Sequence, residues 1–194
     1  MKRVLIIYTG GTIGMTRTEN GYAPRAGYFR AALDAIPDLR APEMPEWEFY
    51  ELSPLLDSSN MTVREWNCIA ELIAQKYDDY DGFVVLHGTD TMAYTAAALS
   101  YLVQNNAKPV VITGSQKSIF NQDTDARENL RDAFLYACDD GACGVHIVFD
   151  HKVILGTRAR KVRTKSYNAF SSIDYPETAI LRGRQVCLLY TSDA

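Results

Sequence analysis

Short apolar runs alternate along this chain with stretches of helical periodicity. The runs are rich in β-branched and aromatic residues and occupy residues 4–8, 83–86, 109–112 and 145–149. Continuous apolar runs of this length are typical of parallel strands that are buried on both faces. Between them, apolar residues recur at i, i+3 and i+4, as in crossover helices, over residues 26–36, 63–76, 90–103 and 123–137. The alternation predicts an α/β fold with a mostly parallel sheet.

One of these predicted helices begins with a recognisable capping sequence. Thr62 precedes the apolar periodicity and Glu65 follows three positions later, so their side chains can satisfy the first free N–H groups as a capping box. This predicts a helix over Val63–Lys76. A further strand is predicted over residues 48–52, and strand and loop segments over residues 152–155, 158–163 and 169–176.

The charge balance limits the classes of ligand. The 194 residues contain 20 Lys plus Arg against 24 Asp plus Glu, a net charge of −4. Such a chain has no overall positive field to attract nucleic acid or an anionic membrane, so we expect neither as a partner. A small neutral or zwitterionic substrate is compatible with this composition.

The amino terminus and the cysteines indicate a reducing compartment. The first apolar run is too short for a signal-peptide core or a membrane span, which predicts a cytoplasmic protein. The four cysteines include no CxxC pair and no neighbouring histidine cluster to complete a zinc site. We interpret them as structural free thiols.

The motif TGGTIG directly follows the first predicted strand. Gly10 and Gly11 allow a sharp turn and a close backbone approach, which places the Thr12 hydroxyl at the carboxyl edge of the sheet. The motif lacks the spacing of a dinucleotide-binding fingerprint and the Lys-Ser/Thr ending of a P-loop. A plain strand-to-helix turn is the alternative interpretation.

A second motif, HGTDTM, ends the second predicted strand. It offers Gly88 for close approach, Thr89 as a hydroxyl and Asp90 as a carboxylate, although Asp90 could simply cap the following helix. His87 precedes the turn, and we expect it to pack beneath the turn. With Thr12, these groups would form an acyl-transfer constellation if a base lay close by.

Lys161 is the candidate base. It lies in the basic sequence GTRARKVR, where neighbouring cations could favour a neutral amine. The alternative is a lysine in a solvated basic loop.

Two further turns add polar groups. Ser58 and Ser59 lie before the capped helix, where hydroxyls and backbone N–H groups could bind a carboxylate. Gly114 and Ser115 follow the third predicted strand. Taken together, these strand and turn ends indicate one ligand site at the sheet edge.

The motifs YTGGTIGM, GYAP, LLDSSNMT, HGTDTMAYTAAALS and KPVVITGSQ resemble bacterial L-asparaginases, especially the cytoplasmic type I branch. The resemblance covers residues 4–170, and residues 116–127 depart from the family pattern. It implies a three-layer α/β/α architecture, the large N-terminal domain of a two-domain amidohydrolase. We expect this domain to span residues 1–181, followed by a truncated end at 182–194, for which a non-native tail is our hypothesis.

The resemblance also implies roles for individual residues. Thr12 corresponds to the threonine nucleophile, Tyr22 to the tyrosine of a mobile lid over residues 15–25, and Lys161 to the lysine that joins Thr89 and Asp90. The implied substrate-binding residues are Ser58, Ser59, Gly11, Gly88, Thr89, Asp90, Gly114 and Ser115.

The implied reaction is hydrolysis of L-asparagine, and of L-glutamine as a variant, through an acyl-enzyme with no metal or other cofactor. The family assembles as a homo-oligomer, a dimer of dimers. A tRNA amidotransferase subunit and a non-catalytic amino-acid binding module are the alternatives, and the second applies most directly to a chain without the smaller domain.

Overall fold

A computed structural model describes residues 1–19 and 21–189 of the chain. The strands are β1 (Arg3–Gly10), β2 (Met15–Thr18), β3 (Gly21–Pro24), β4 (Glu46–Leu56), β5 (Gly82–Leu86), β6 (Pro109–Thr113), β7 (Gly144–Phe149), β8 (Lys152–Leu155), β9 (Ala159–Lys161), β10 (Phe170–Ser172), β11 (Ala179–Arg182) and β12 (Gln185–Leu188). The α-helices are α1 (Phe29–Asp34), α2 (Val63–Lys76), α3 (Met92–Leu102) and α4 (Ala126–Ala137). Short 3-10 turns cover Thr12–Gly14, Pro37–Arg40, Ser58–Asn60 and Tyr77–Asp79.

Within the described residues, the main sheet has eight strands in the order β12-β11-β8-β7-β6-β5-β1-β4. Its pairs from β7 to β4 are parallel, whereas β8, β11 and β12 extend the sheet by antiparallel pairing. The carboxyl ends of the parallel strands therefore meet at one edge, where ligand sites of open α/β sheets form. The predicted α/β class with a mostly parallel sheet is confirmed.

Helices cover both faces of the sheet. On one face, α1 and α4 pack against alternate residues of β1 and β5, with Phe29, Leu33 and Phe134 buried in that core. On the other face, α2 and α3 cover the intervening residues through Ile69, Ile73 and Leu99. Both faces of the central strands are apolar for this reason, and the three-layer arrangement is the one expected.

The capping box of α2 is present as predicted. The Thr62 hydroxyl accepts the N–H of Arg64 at 3.3 Å, and the Glu65 carboxylate accepts the N–H of Thr62 at 2.9 Å.

The first predicted helix is wrong in extent, since residues 26–36 contain only the six-residue α1. At its start, Gly27 has a φ of +79° and donates its N–H to the Glu51 carboxylate at 3.0 Å, which holds a turn there. At its end, Ile36 is extended because it precedes Pro37, whose ring disfavours a helical neighbour. Local backbone constraints therefore override the helical periodicity.

The predicted lid segment forms a hairpin rather than an open loop. Strands β2 and β3 pair antiparallel, with Met15 opposite Pro24 and Thr18 opposite Gly21. The turn is closed by the Thr18 hydroxyl, which donates to the Gly21 carbonyl at 2.7 Å. Pairing of β2 with β3, and the Ser118 hydroxyl that donates to the Met15 carbonyl at 2.6 Å, hold this polar segment in place.

The C-terminal part continues the sheet. The predicted domain end at residue 181 lies within β11, and β12 pairs antiparallel with β11. Residues 190–194, which belong to the tail predicted as non-native, lie outside the described residues. Cys68, Cys138, Cys143 and Cys187 are free thiols. Within residues 1–19 and 21–189, no helix is long and apolar enough to cross a membrane.

Two buried tyrosines allow a test of the core. Tyr8 is fully buried, its hydroxyl has no hydrogen-bond partner among the described residues, and burial raises its pKa. The Tyr136 hydroxyl, also buried, is hydrogen-bonded to Nδ1 of His146 at 3.5 Å. A buried polar group without a partner costs free energy, whereas a bonded one stabilises the fold.

We therefore expect Tyr8→Phe to raise the free energy of unfolding by about 1 kcal/mol and Tyr136→Phe to lower it by about 1 kcal/mol. Urea unfolding of the two variants beside the wild type measures both changes. A stability loss in Tyr8→Phe would contradict the prediction and show that the hydroxyl has a partner in solution.

Candidate active site

The floor of the candidate site is made of glycines in close backbone contact. A Cβ atom on Gly11 would lie 2.4 Å from the backbone nitrogen of Gly88, and one on Gly114 would lie 2.2 Å from the His87 carbonyl oxygen. A Cβ on Gly88 would lie 2.5 Å from the Ser58 hydroxyl oxygen. The ends of β1, β5 and β6 and the turn before α2 therefore meet without intervening side chains.

Thr12 and Thr89 directly follow Gly11 and Gly88, so this contact brings both threonines to the same edge of the sheet. Thr12 begins the 3-10 turn Thr12–Gly14 and is partly exposed. Within the described part of the chain, the Thr12 hydroxyl makes no hydrogen bond. It is consequently available to a ligand.

Lys161 joins Thr89 and Asp90. Its ammonium donates to the Thr89 hydroxyl oxygen and to the Asp90 carboxylate, each at 2.8 Å. Its side chain is only 15% exposed, unlike that of a solvated loop lysine, whereas Asp90 is 73% exposed. The N-cap residue of α3 is Thr91, without a side-chain capping bond, so Asp90 faces Lys161 rather than capping the helix.

Strand β9 positions Lys161. It pairs antiparallel with β10, and Lys161 lies opposite the buried Phe170. The lysine is thus held by a two-stranded sheet that is separate from the main one.

Ser58 and Ser59 occupy different environments. Ser58 is buried beside Gly88, and its carbonyl accepts the Thr91 hydroxyl at 2.7 Å. Ser59 is exposed, and its N–H donates to the Asp57 carboxylate at 3.1 Å. Of the two, the structure places Ser58 at the floor of the site.

Among the described residues, two other predicted residues make no hydrogen bond to this cluster. Tyr22 is 65% exposed on β3, opposite Arg17. Ser115 is buried, and its hydroxyl donates to the Lys117 carbonyl within its own turn.

His87 packs beneath the turn, as predicted. Its Nδ1 lies 2.7 Å from the Gly88 carbonyl, which only accepts, so Nδ1 carries the proton and Nε2 accepts. The Thr95 hydroxyl lies 2.9 Å from Nε2, and Thr95 in turn accepts the Trp66 indole N–H at 2.9 Å. These hydrogen bonds are consistent with a neutral His87, and they connect α2 and α3 to the turn that carries Thr89.

Buried histidines make the stability of the fold pH-dependent. Burial lowers the pKa of His87 and of His146 to about 4 each, against 6.5 for a free side chain. The unfolded chain therefore takes up protons as the pH falls below 6.5 while the folded chain does not. The stabilisation is complete above pH 6.5 and is lost as the pH falls towards 4.

Between pH 7 and pH 5 we expect each of these histidines to contribute a loss of about 2 kcal/mol in the free energy of unfolding. Asp132 acts in the opposite direction, since burial raises its pKa. The measurement is urea unfolding at both pH values for the wild type and for His146→Gln. An unchanged pH dependence in that variant would contradict the assignment.

Sequence reasoning missed three residues that hold the loop after β6. The buried Asp125 carboxylate accepts the N–H of Gln116 at 2.9 Å and that of Lys117 at 3.0 Å. Asn129 donates to the Gly114 carbonyl at 3.0 Å. The side-chain amide oxygen of Gln116 accepts a hydrogen bond from the Thr89 hydroxyl at 3.2 Å. The sequence signal that could have indicated these contacts was Asn129, a polar residue within the apolar stripe of α4.

The donors present are those of an anion- and amide-binding site. Among residues 1–19 and 21–189, no group of three or more His, Cys, Asp or Glu side chains is arranged to hold a metal ion. Hydroxyls, a lysine and a carboxylate at a parallel sheet edge are typical of a polar small-molecule site in an α/β protein.

Comparison with known proteins identifies the family. The family model described as Asparaginase, N-terminal, matches residues 3–193, and the chain belongs to this family. L-asparaginase 1 of Escherichia coli K12 is 45% identical over 175 residues, which cover 90% of this chain and 52% of that protein. The crystal structure of L-asparaginase I from Vibrio cholerae superimposes with a TM-score of 0.84 at 41% identity, covering 96% of this chain and 56% of that one.

A second branch of relatives is more distant. A glutamyl-tRNA(Gln) amidotransferase subunit of Thermoplasma acidophilum is 32% identical over 196 residues, which cover 92% of this chain and 44% of that protein. The chain spans about half the length of the curated L-asparaginases it matches.

Proposed function

We propose that the protein built on this chain hydrolyses L-asparagine to L-aspartate and ammonia. The observation that carries the proposal is the hydrogen-bonded set Thr89, Lys161 and Asp90 beside the unpartnered Thr12 hydroxyl. The similarity to L-asparaginases over nine tenths of the chain supports it.

In the proposed reaction, the Thr12 hydroxyl oxygen attacks the carbon of the side-chain amide. A C–O bond forms, the carbonyl becomes a tetrahedral oxyanion, and the Thr12 proton passes to the amide nitrogen, which leaves as ammonia. Water then attacks the ester carbon, the C–O bond to Thr12 breaks, a proton of the water passes to the Thr12 oxygen, and aspartate leaves. Lys161 and Thr89 transfer protons and position the water.

Backbone N–H groups next to the glycines are the proposed oxyanion donors. The close packing of Gly11, Gly88 and Gly114 leaves backbone rather than side chains at the floor. One donor of this kind is typically worth about 3 kcal/mol in the transition state.

The two charges of the substrate require separate partners. We assign the α-ammonium group to Asp90, whose carboxylate is exposed on one side and bonded to Lys161 on the other. We assign the α-carboxylate to Ser58 and the N–H groups of its turn, with Ser59 beside it. Gly114 and Ser115 line the amide end.

Tyr22 is proposed to assist deprotonation of Thr12 when the β2–β3 hairpin closes. It is exposed on the hairpin that begins one residue after the Thr12–Gly14 turn. A hairpin with internal hydrogen bonds can move as a unit and exclude water from the ester.

Residues 1–181 are proposed to form the catalytic domain of a cytoplasmic homo-oligomer, a dimer of dimers. Light scattering during gel filtration measures the mass of the assembly.

The decisive experiment is an assay of ammonia release from L-asparagine, with L-glutamine alongside, for this chain and for the natural gene product that contains it. We expect the natural gene product to release ammonia from L-asparagine. Binding of asparagine by a folded gene product without release would make the protein a binding module. Activation of ammonia release by a second protein and charged tRNA would favour the amidotransferase alternative, which the more distant relatives represent.

A further inference from the structure

The Gln116 side chain bridges two parts of the candidate site. Its carbonyl oxygen lies 3.2 Å from the Thr89 hydroxyl, and its amide nitrogen donates to the carbonyls of Thr164 and Ser166 at 3.0 and 3.1 Å. Because both backbone partners only accept, the amide nitrogen must face them and the amide oxygen must face Thr89. The orientation of the amide is thereby fixed.

The direction of the Thr89 proton follows from its two neighbours. A lysine ammonium only donates, so Thr89 accepts from Lys161. An amide oxygen only accepts, so the hydroxyl proton of Thr89 points to Gln116. The remaining lone pair of the Thr89 oxygen is left for a third group, which must be a donor.

Gln116 is itself held rigidly. Its backbone N–H binds both oxygens of the buried Asp125 at 2.9 and 3.1 Å, and Asp125 also binds Asn129 on α4 at 3.3 Å. The Thr164 and Ser166 carbonyls belong to the loop between β9, which carries Lys161, and β10. One side chain therefore fixes Thr89 directly and the segment after Lys161 through its backbone.

We propose that Gln116 is a positioning residue that makes Thr89 a hydrogen-bond acceptor towards the substrate side. This rests on the proposed function: the group donating to the third site is the water that hydrolyses the ester. Thr89 then orients that water by accepting its hydrogen, with its own proton held by Gln116.

The test compares Gln116→Met, which keeps the length but removes both hydrogen-bonding groups, with Gln116→Glu, which keeps an acceptor for Thr89. The control is Lys117→Met in the same loop, whose ammonium pairs with the exposed Asp123. Two readouts are taken on the natural gene product: kcat and KM for L-asparagine, and the χ1 rotamer of Thr89 from NMR coupling constants to its methyl carbon.

We expect one Thr89 rotamer in the wild type and averaging in Gln116→Met. Because the buried Thr89 hydroxyl loses its acceptor, kcat should fall by about 10- to 100-fold, with KM changed less than about threefold. Gln116→Glu should keep the single rotamer and recover part of kcat, and Lys117→Met should match the wild type.

A single Thr89 rotamer in Gln116→Met would overturn the proposal, as would an equal loss of kcat in Lys117→Met. The rotamer comparison does not depend on turnover. Absence of ammonia release from the wild type would therefore refute the proposed function, while the rotamers still decide whether Gln116 orients Thr89.

Discussion

Thr12→Ala is expected to lower ammonia release from L-asparagine by about 10⁴-fold or more, since loss of a nucleophile leaves only binding and oxyanion stabilisation. The fold should be unaffected, because the Thr12 side chain is partly exposed and has no hydrogen-bond partner among the described residues. Steady-state assays and urea unfolding of the natural gene product measure the two effects separately.

Thr12→Ser is the matched control, because it keeps the hydroxyl and removes only a methyl group. It should retain activity well above that of the alanine variant. Mass spectrometry after rapid quenching should find an acyl adduct of Thr12 in the wild type. An acyl adduct in Thr12→Ala would assign the nucleophile to another residue.

The second large effect is expected on stability. Gly11→Ala should lower the free energy of unfolding by about 3 kcal/mol or more, because the new Cβ would lie 2.4 Å from the backbone of Gly88 and the residue has a φ of +85°. Backbone atoms cannot move aside as a flexible side chain can.

Gly144→Ala separates the two causes. Gly144 has a φ of +75°, similar to that of Gly11, but nothing lies within 4 Å of its added Cβ. We expect it to cost about 1 kcal/mol from backbone strain alone. Equal losses in the two variants, measured by urea unfolding, would show that close packing at Gly11 contributes nothing.

The sequence was sufficient to predict the parallel strands β1, β5, β6 and β7, because each contains a continuous apolar run and the sheet buries both of its faces. It was insufficient for α1, where Gly27 and Pro37 decide the ends of the helix. It was insufficient for β2 and β3 as well, because this short polar hairpin has no apolar alternation. Apolar periodicity indicates burial, whereas the ends of α1 and the turn of the hairpin are determined by backbone geometry.

The candidate site was predictable where a motif follows a strand. Gly11, Thr12, Gly88, Thr89 and Asp90 fall together because parallel strands end at one edge. The basic sequence GTRARKVR made Lys161 a candidate base, but its position beside Thr89 depended on the family resemblance, since nothing local indicates that β9 turns it towards Thr89. Gln116 was not predictable, because the role of its side chain arises from contacts with residues 27 to 50 positions away in sequence.

Helix α4 sets the position of the loop after β6. Asp125 and Asn129 bind the backbone of residues 114–117, so a small slide of α4 would carry Gln116 with it. Repacking the sheet-facing side of α4 to raise thermal stability would then lower turnover. Stabilising substitutions are better placed on the outer surface of α2, which contacts neither Asp125, Asn129 nor Gln116.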